Sequence, residues 1–163
     1  MEHPRLGRLT LVEDDGPYGE GEARRWEAAV PLPSFASRGV GLRRDDDPPP
    51  GLVRLRVEDL DGTGVKHQQD AAIAHLLDCE LEVFAAVWGE LAPQFRSFDL
   101  ETEVICTEVE VSGLHIDGVA YLGFSIDCDG HLEHGFQVVY HSTRGTFWGD
   151  WEALNAIEEA DNL

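Results

Sequence analysis

The amino-acid sequence predicts an α+β domain: an antiparallel β-sheet with one face covered by one long helix or a helix pair. Three observations lead there. Residues 52–57 alternate, with Val53, Leu55 and Val57 set against Leu52, Arg54 and Arg56, which is the period of a half-buried strand. Residues 120–141 alternate twice over, on either side of an Asp129-Gly130-His131 turn signal. Between these regions Ile73, Leu76, Leu77, Leu81, Phe84, Trp88 and Leu91 recur at three- and four-residue steps, forming one apolar helix stripe.

The elements follow in chain order. Residues 6–12 read as a short strand, and an acidic, glycine-rich loop follows at 13–22. Trp26, Ala28 and Val30 alternate in a second strand over 24–32, and residues 39–43 suggest a third. The Asp45-Asp46-Asp47-Pro48-Pro49-Pro50 run is an exposed loop. Residues 1–57 thus form a strand meander. The helical segment spans 65–92, as one helix or as two broken near Asp78-Cys79, and Pro93 ends it. Residues 99–105 suit a short helix or turn, with a strand following from about Val109 to Ile116. Asp117-Gly118 turns the chain into the central hairpin at 120–141. Residues 142–145 form a turn, 146–148 a last edge strand, and 152–160 a helix anchored by Leu154 and Ile157. The whole chain, 1–163, reads as a single domain whose C-terminal strands occupy 109–148.

The hairpin tip concentrates chemistry. A three-residue loop, 129–131, pairs Cys128 with Leu132, Ile126 with His134, Phe124 with Phe136 and Leu122 with Val138, so that every apolar residue faces one side. Asp127 then stands opposite Glu133, and like charges in opposed positions destabilise a strand pair. Asp129 and His131 lie just beyond, and His134 sits on the apolar face. Three carboxylates and an imidazole in one place either hold a cation, receive a basic side chain or share a proton; a merely solvated hairpin end is the plainer alternative. Asp127, Asp129, His131, Glu133 and His134 are therefore the candidate binding residues.

Charge narrows the partners. The net charge is −20, and residues 58–163 hold 22 acidic against 3 basic residues, whereas residues 1–57 hold 10 against 9. Such a surface repels nucleic acid and anionic membranes and speeds encounter with a basic protein. No stretch approaches a membrane span or a signal peptide. The three cysteines, Cys79, Cys106 and Cys128, have neither disulfide-framework nor zinc-site spacing. These features together suggest a cytoplasmic location.

Known catalytic and metal patterns are missing. Asp127-Cys128-Asp129-Gly130 opens like a calcium loop, but Val138 occupies the place of the bidentate glutamate. His131 and His134 do not have the spacing of a helical zinc motif, and a metal site would need His115 or His141 as a further ligand. Cys128 and His134 could form a nucleophile–base pair, although the apolar face suits an inert thiol. Nucleophile elbows, phosphate-cradling loops and dinucleotide fingerprints do not occur, and no metal or cofactor is expected.

Cys128, then Glu133-His134-Gly135 followed by an apolar residue and Val138, resembles the signature hairpin of an uncharacterised bacterial domain family, Cys-x-Trp-Asp-x-Glu-His-Gly-Leu-Gly-Val. Residues 120–124 and Gln68-Gln69 fit the same pattern, and the likeness covers about residues 24–150. Gly130-His131 stand where the family has Trp-Asp, and Gln137 replaces its second glycine. The resemblance implies a bacterial cytosolic α+β domain. In size and acidity the chain is also similar to immunity proteins that neutralise bacterial toxins. The expectation is a non-enzymatic acidic binding protein, an immunity-type inhibitor of a basic partner. The alternative is a metal-dependent or acid–base hydrolase using the 127–134 tip.

Overall fold

The computed structural model describes residues 1–15, 22–36, 48–49, 51–59, 61–97, 104–128, 136–149 and 157. A two-stranded ribbon, β1 (Glu2–His3) and β2 (Gly7–Arg8), precedes the main sheet. That sheet has seven strands in sequential order: β3 (Thr10–Asp15), β4 (Glu22–Pro31), β5 (Leu52–Glu58), β6 (Val104–Ile116), β7 (Val119–Cys128), β8 (Phe136–His141) and β9 (Gly145–Gly149). A single-turn helix, α1 (Pro33–Ala36), follows β4, and α2 (His67–Asp78) and α3 (Glu80–Ser97) lie between β5 and β6. Helices thus pack on a mostly antiparallel sheet, which is larger than the strand pattern led us to expect. Among the described strands, the departure from antiparallel pairing is β5 against β6, which run parallel over four residue pairs, Arg54↔Glu108 to Val57↔Val111. A parallel neighbour needs a crossover connection, and the helix pair is that crossover.

The apolar stripe at residues 73–91, except Leu81, which is exposed, covers one face of the sheet. Val53, Leu55 and Val57 of β5, Val109 and Val111 of β6, and Leu122 and Phe124 of β7 are at most 1% exposed beneath Ile73, Leu76 and Val83. Phe35 of α1 stacks on Phe124 at 4.9 Å and meets Phe84 edge-on at 5.2 Å, closing one end of this core. Burying each such side chain is worth about 1.5–3 kcal/mol.

The helical segment is two helices, divided at Cys79 (φ −122°, ψ 31°), whose N–H still donates to the His75 carbonyl. Pro93 does not end the second helix, which continues to Ser97. Pro93 and Gly89 are both exposed, so the carbonyl that loses its partner to the proline lies at the solvent side, where water can take its place. The expected helix or turn at 99–105 is corrected in its described part. Residues 104 and 105 already belong to β6, which begins five residues before the expected start at Val109. The reason is a bulge between Cys106 and Glu108. An extra residue there resets the in–out alternation, so Cys106 and Val109 both face the core. Asp117 (φ 52°) and Gly118 (φ 78°) form the turn between β6 and β7, both with the positive φ that a two-residue hairpin of this hand requires. β9 is the edge strand expected at 146–148. Residues 39–43 and the 152–160 helix, apart from Ile157, lie outside the described residues.

Candidate functional site

β7 and β8 form the expected hairpin, but in a register shifted by two. Leu122 pairs with Tyr140, Phe124 with Val138 and Ile126 with Phe136, rather than with Val138, Phe136 and His134. A two-residue slip keeps every side chain on its face, which is why alternation alone did not reveal it. The opposition of Asp127 and Glu133 was drawn from the other register. Asp127 itself sits on β7 with Ile105 of β6 as its backbone partner. Its side chain, together with Asp129, His131, Glu133 and His134, lies outside the described residues. His141 is buried, with Nε2 3.1 Å from the Val119 carbonyl and Nδ1 accepting the Thr143 N–H at 3.2 Å. Both ring nitrogens are used, and this histidine is structural.

A second polar cluster lies on the sheet face opposite the helices. Outward residues of β4, β5 and β6 form a carboxylate–guanidinium ladder. Arg25 and Arg56 each donate through Nε to Glu27 Oε1 at 2.9 Å. Arg56 also reaches Glu108 Oε2 at 2.5 Å, so it bridges β4 to β6 across its own strand. Arg54 has Glu108 as its register partner. These groups are shielded: the Arg56 side chain is 25% exposed and that of Glu108 13%. Burial pushes the Glu108 carboxyl upward from its ordinary value, and the attraction of Arg56 and Arg54 only partly offsets this.

The ladder ends where β5 and β6 diverge. After Val57↔Val111 the parallel pairing stops, and a second irregularity of β6 lies between Val111 and His115. Irregular backbone there leaves polar groups without ladder partners, and two side chains take them. Glu58 Oε2 accepts the Gly113 N–H at 2.5 Å and the Ser112 hydroxyl at 3.1 Å. From the other face, Gln69 Nε2 donates to the Glu58 carbonyl at 2.8 Å and the Ser112 carbonyl at 3.3 Å, while its Oε1 accepts the Lys66 N–H at 2.9 Å. Gln69 is 2% exposed, and it both caps the first turn of α2 and fills the fork between the strands.

Glu110, the register partner of Arg56, is the last carboxyl of the ladder before this fork. Burial, then the charges of Glu58 and Glu108, push its carboxyl up to about 8. Three guanidiniums, on Arg25, Arg54 and Arg56, thus face four carboxyl groups, of which Glu110 keeps its proton near neutrality. This face is close to electrically balanced.

The sequence contained a signal for this cluster: Arg-x-Arg at 54–56 and Glu-x-Glu at 108–110 are opposite charges at matching two-residue spacing. Nothing local indicated that the two strands were neighbours. Among the described residues no group of three or more His, Cys, Asp or Glu side chains is arranged to hold a metal ion. Among them, too, no helix is long and apolar enough to cross a membrane. No protein-family model, curated protein or solved structure matches this chain.

Proposed function

We propose that the chain is a non-enzymatic acidic binding protein of a bacterial cytosol, acting as an immunity-type inhibitor of a basic partner. The observation that carries this reading is how the positive charges are spent. Arg5 pairs with Asp78, Arg24 with Glu13, Arg25 and Arg56 with Glu27, Lys66 with Asp61 and Arg144 with Asp117. Six of the twelve Lys and Arg side chains are thus committed to internal pairs, in a chain whose 32 carboxylates give it a net charge of −20. Glu82 and Asp70 are exposed on the helices, and Leu81, next to Glu82 in the chain, is 73% exposed. An exposed apolar side chain on an acidic surface suits a basic partner with an apolar centre, because charge steers the encounter and burial holds the complex. In sequence, residues 127–134 are acidic as well, with Asp127, Asp129 and Glu133.

The test is affinity capture from the source cytosol, with each captured protein then purified and its association rate measured from about 50 to about 500 mM salt. The expected partner is basic, and its association slows at least tenfold over that range. A tight partner that is neutral or acidic, or an association rate indifferent to salt, would sink the proposal.

A further inference from the structure

The main sheet ends in two edge strands of opposite character. β3 carries Glu13, Asp14 and Asp15, and charge on an edge strand discourages a foreign strand from adding to it. β9 is Gly145-Thr146-Phe147-Trp148-Gly149, with no charge and no proline, in unbroken register with β8. β8 lies on one side of it, and among the described residues no strand of the sheet lies on the other. Its aromatic residues straddle the sheet. Trp148 opposes Val138, part of the core beneath the helices, and Phe147 opposes Val139 on the other face. Ile157 packs on Tyr121 and Val139 of that second face, yet Phe147 is 45% exposed. An uncharged, aromatic edge of this kind is a template for another strand.

We propose that the β9 edge is a self-association surface: two copies of this chain pair their β9 strands antiparallel about a two-fold axis at Phe147, joining their sheets into one.

The sequence of the strand fits this occupant. Antiparallel pairing centred on Phe147 sets that residue against its own counterpart, Thr146 against Trp148, and Gly145 against Gly149. Carried one residue further in each direction, the same register opposes Arg144 of one copy to Asp150 of the other, twice over by symmetry. Opposite charges in opposed cross-strand positions attract. A parallel pairing would instead set Arg144 against Arg144 and Asp150 against Asp150, so the charges that flank the strand favour the antiparallel two-fold. Arg144 can serve in this way, because its side chain is 50% exposed and lies 3.9 Å from an Asp117 that is itself exposed.

The net charge of −20 opposes contact between copies. At about 0.15 M salt, however, exposed charges more than about 8 Å apart are largely screened, and the strand adds none of its own. Apolar contact between the two Phe147 rings and backbone hydrogen bonds along the joined edges then hold the pair. Five residues on each side make a small interface, which corresponds to a weak and reversible dimer.

Sedimentation equilibrium at about 0.15 M salt, with the chain between about 10 µM and about 1 mM, tests this. The native chain passes from monomer towards dimer over that range. Phe147→Lys, which sets like charges against each other at the axis, weakens the dimer by about tenfold or more. Arg144→Asp weakens it as well, and adding Asp150→Arg restores it, because the opposed pair re-forms with its signs exchanged. Oxidative cross-linking reads the register separately. Phe147→Cys meets its own counterpart within disulfide reach and gives a covalent dimer, whereas Thr146→Cys, set against Trp148, does not. A chain that stays monomeric up to about 1 mM overturns the proposal, even if another protein's strand takes the edge. A dimer that is indifferent to Phe147→Lys, or in which Phe147→Cys fails to cross-link, overturns it too. The result is separate from the binding proposal, since it needs no partner but the chain itself.

Discussion

Replacing Glu110 by Gln should make the protein more stable in alkali and remove a specific part of its pH dependence. Glu110 ionises near 4.5 in an unfolded chain and at about 8 in the folded one, because burial and the neighbouring Glu58 and Glu108 oppose its charge. The folded state therefore binds more protons than the unfolded state between these values, and stability falls as pH rises through the window. Below 4.5 the contribution is fully present; above about 8 it is gone. At about 1.4 kcal/mol per pH unit, the whole window spans at most about 5 kcal/mol. Urea denaturation of both proteins at pH 5, 6, 7, 8 and 9 gives the difference curve. Glutamine is uncharged, as the protonated Glu110 carboxyl is, so the two should agree to within about 1 kcal/mol at pH 5. The variant should then gain a few kcal/mol on the native chain by pH 9. Global repulsion from the net charge of −20 acts on both proteins almost equally and cancels in the difference. A difference curve that is flat from pH 5 to pH 9, or that falls, would refute the raised ionisation of Glu110.

Three further outcomes follow from the same geometry. Gln69→Leu preserves volume but leaves the Glu58 and Ser112 carbonyls without their side-chain donor; at about 1–3 kcal/mol for each orphaned group, the urea midpoint should drop by about 3 kcal/mol in stability, and a loss under 1 kcal/mol would mean that water reaches the fork. Arg56→Met should cost about 3 kcal/mol, because it leaves Glu108 in a shielded site with Arg54 alone and takes one of the two guanidiniums from Glu27, whereas Lys66→Met, whose partner Asp61 is open to solvent, should cost far less; equal losses in thermal melts would contradict this ranking. Gly118→Ala meets no atom within 4 Å but places a side chain at φ 78°, so it should cost about 1 kcal/mol from the backbone alone, and a neutral result would show that the turn relaxes.

Short-range features were legible in the sequence to different degrees. Strict alternation identified β5 and the Asp117-Gly118 pair identified its turn, while Asp78-Cys79 stood only as the place for a break between helices that the sequence left undecided. These are local signals, carried by a few consecutive residues. The β6 strand was only half visible because its irregularities at 106–108 and 111–115 change the alternation phase, leaving a stretch that matches neither strand nor helix cleanly. The hairpin register was wrong by two because inward and outward faces repeat every second residue, and the loop composition did not decide its length. The parallel joining of β5 to β6 had no local signal at all, since a helical crossover separates the partners by some fifty residues. That one missed neighbour concealed the ladder and the fork at its end, although all the residues involved were in plain view.

The ladder also explains how the seam finds its register. On the core side, Val53, Leu55 and Val57 meet Val109 and Val111, and aliphatic side chains of similar size discriminate poorly between the native pairing and a slip of two residues. The polar side discriminates sharply. In the native register Arg54 opposes Glu108 and Arg56 opposes Glu110. A slip of two in one direction would set Glu58 directly opposite Glu110 and strand Arg54 beside Cys106. In the other direction Leu52 would face Glu108 and Arg56 would face Ser112, losing one of the two opposed pairs. Shielded ion pairs add little net stability to a fold, since desolvation offsets most of their attraction. Here their contribution is specificity: they separate registers that hydrophobic packing leaves nearly equal in energy. The cost of that specificity falls at the end of the ladder, where β5 follows Arg54 and Arg56 with Glu58, and burial and neighbouring carboxylates push the Glu110 carboxyl up to about 8.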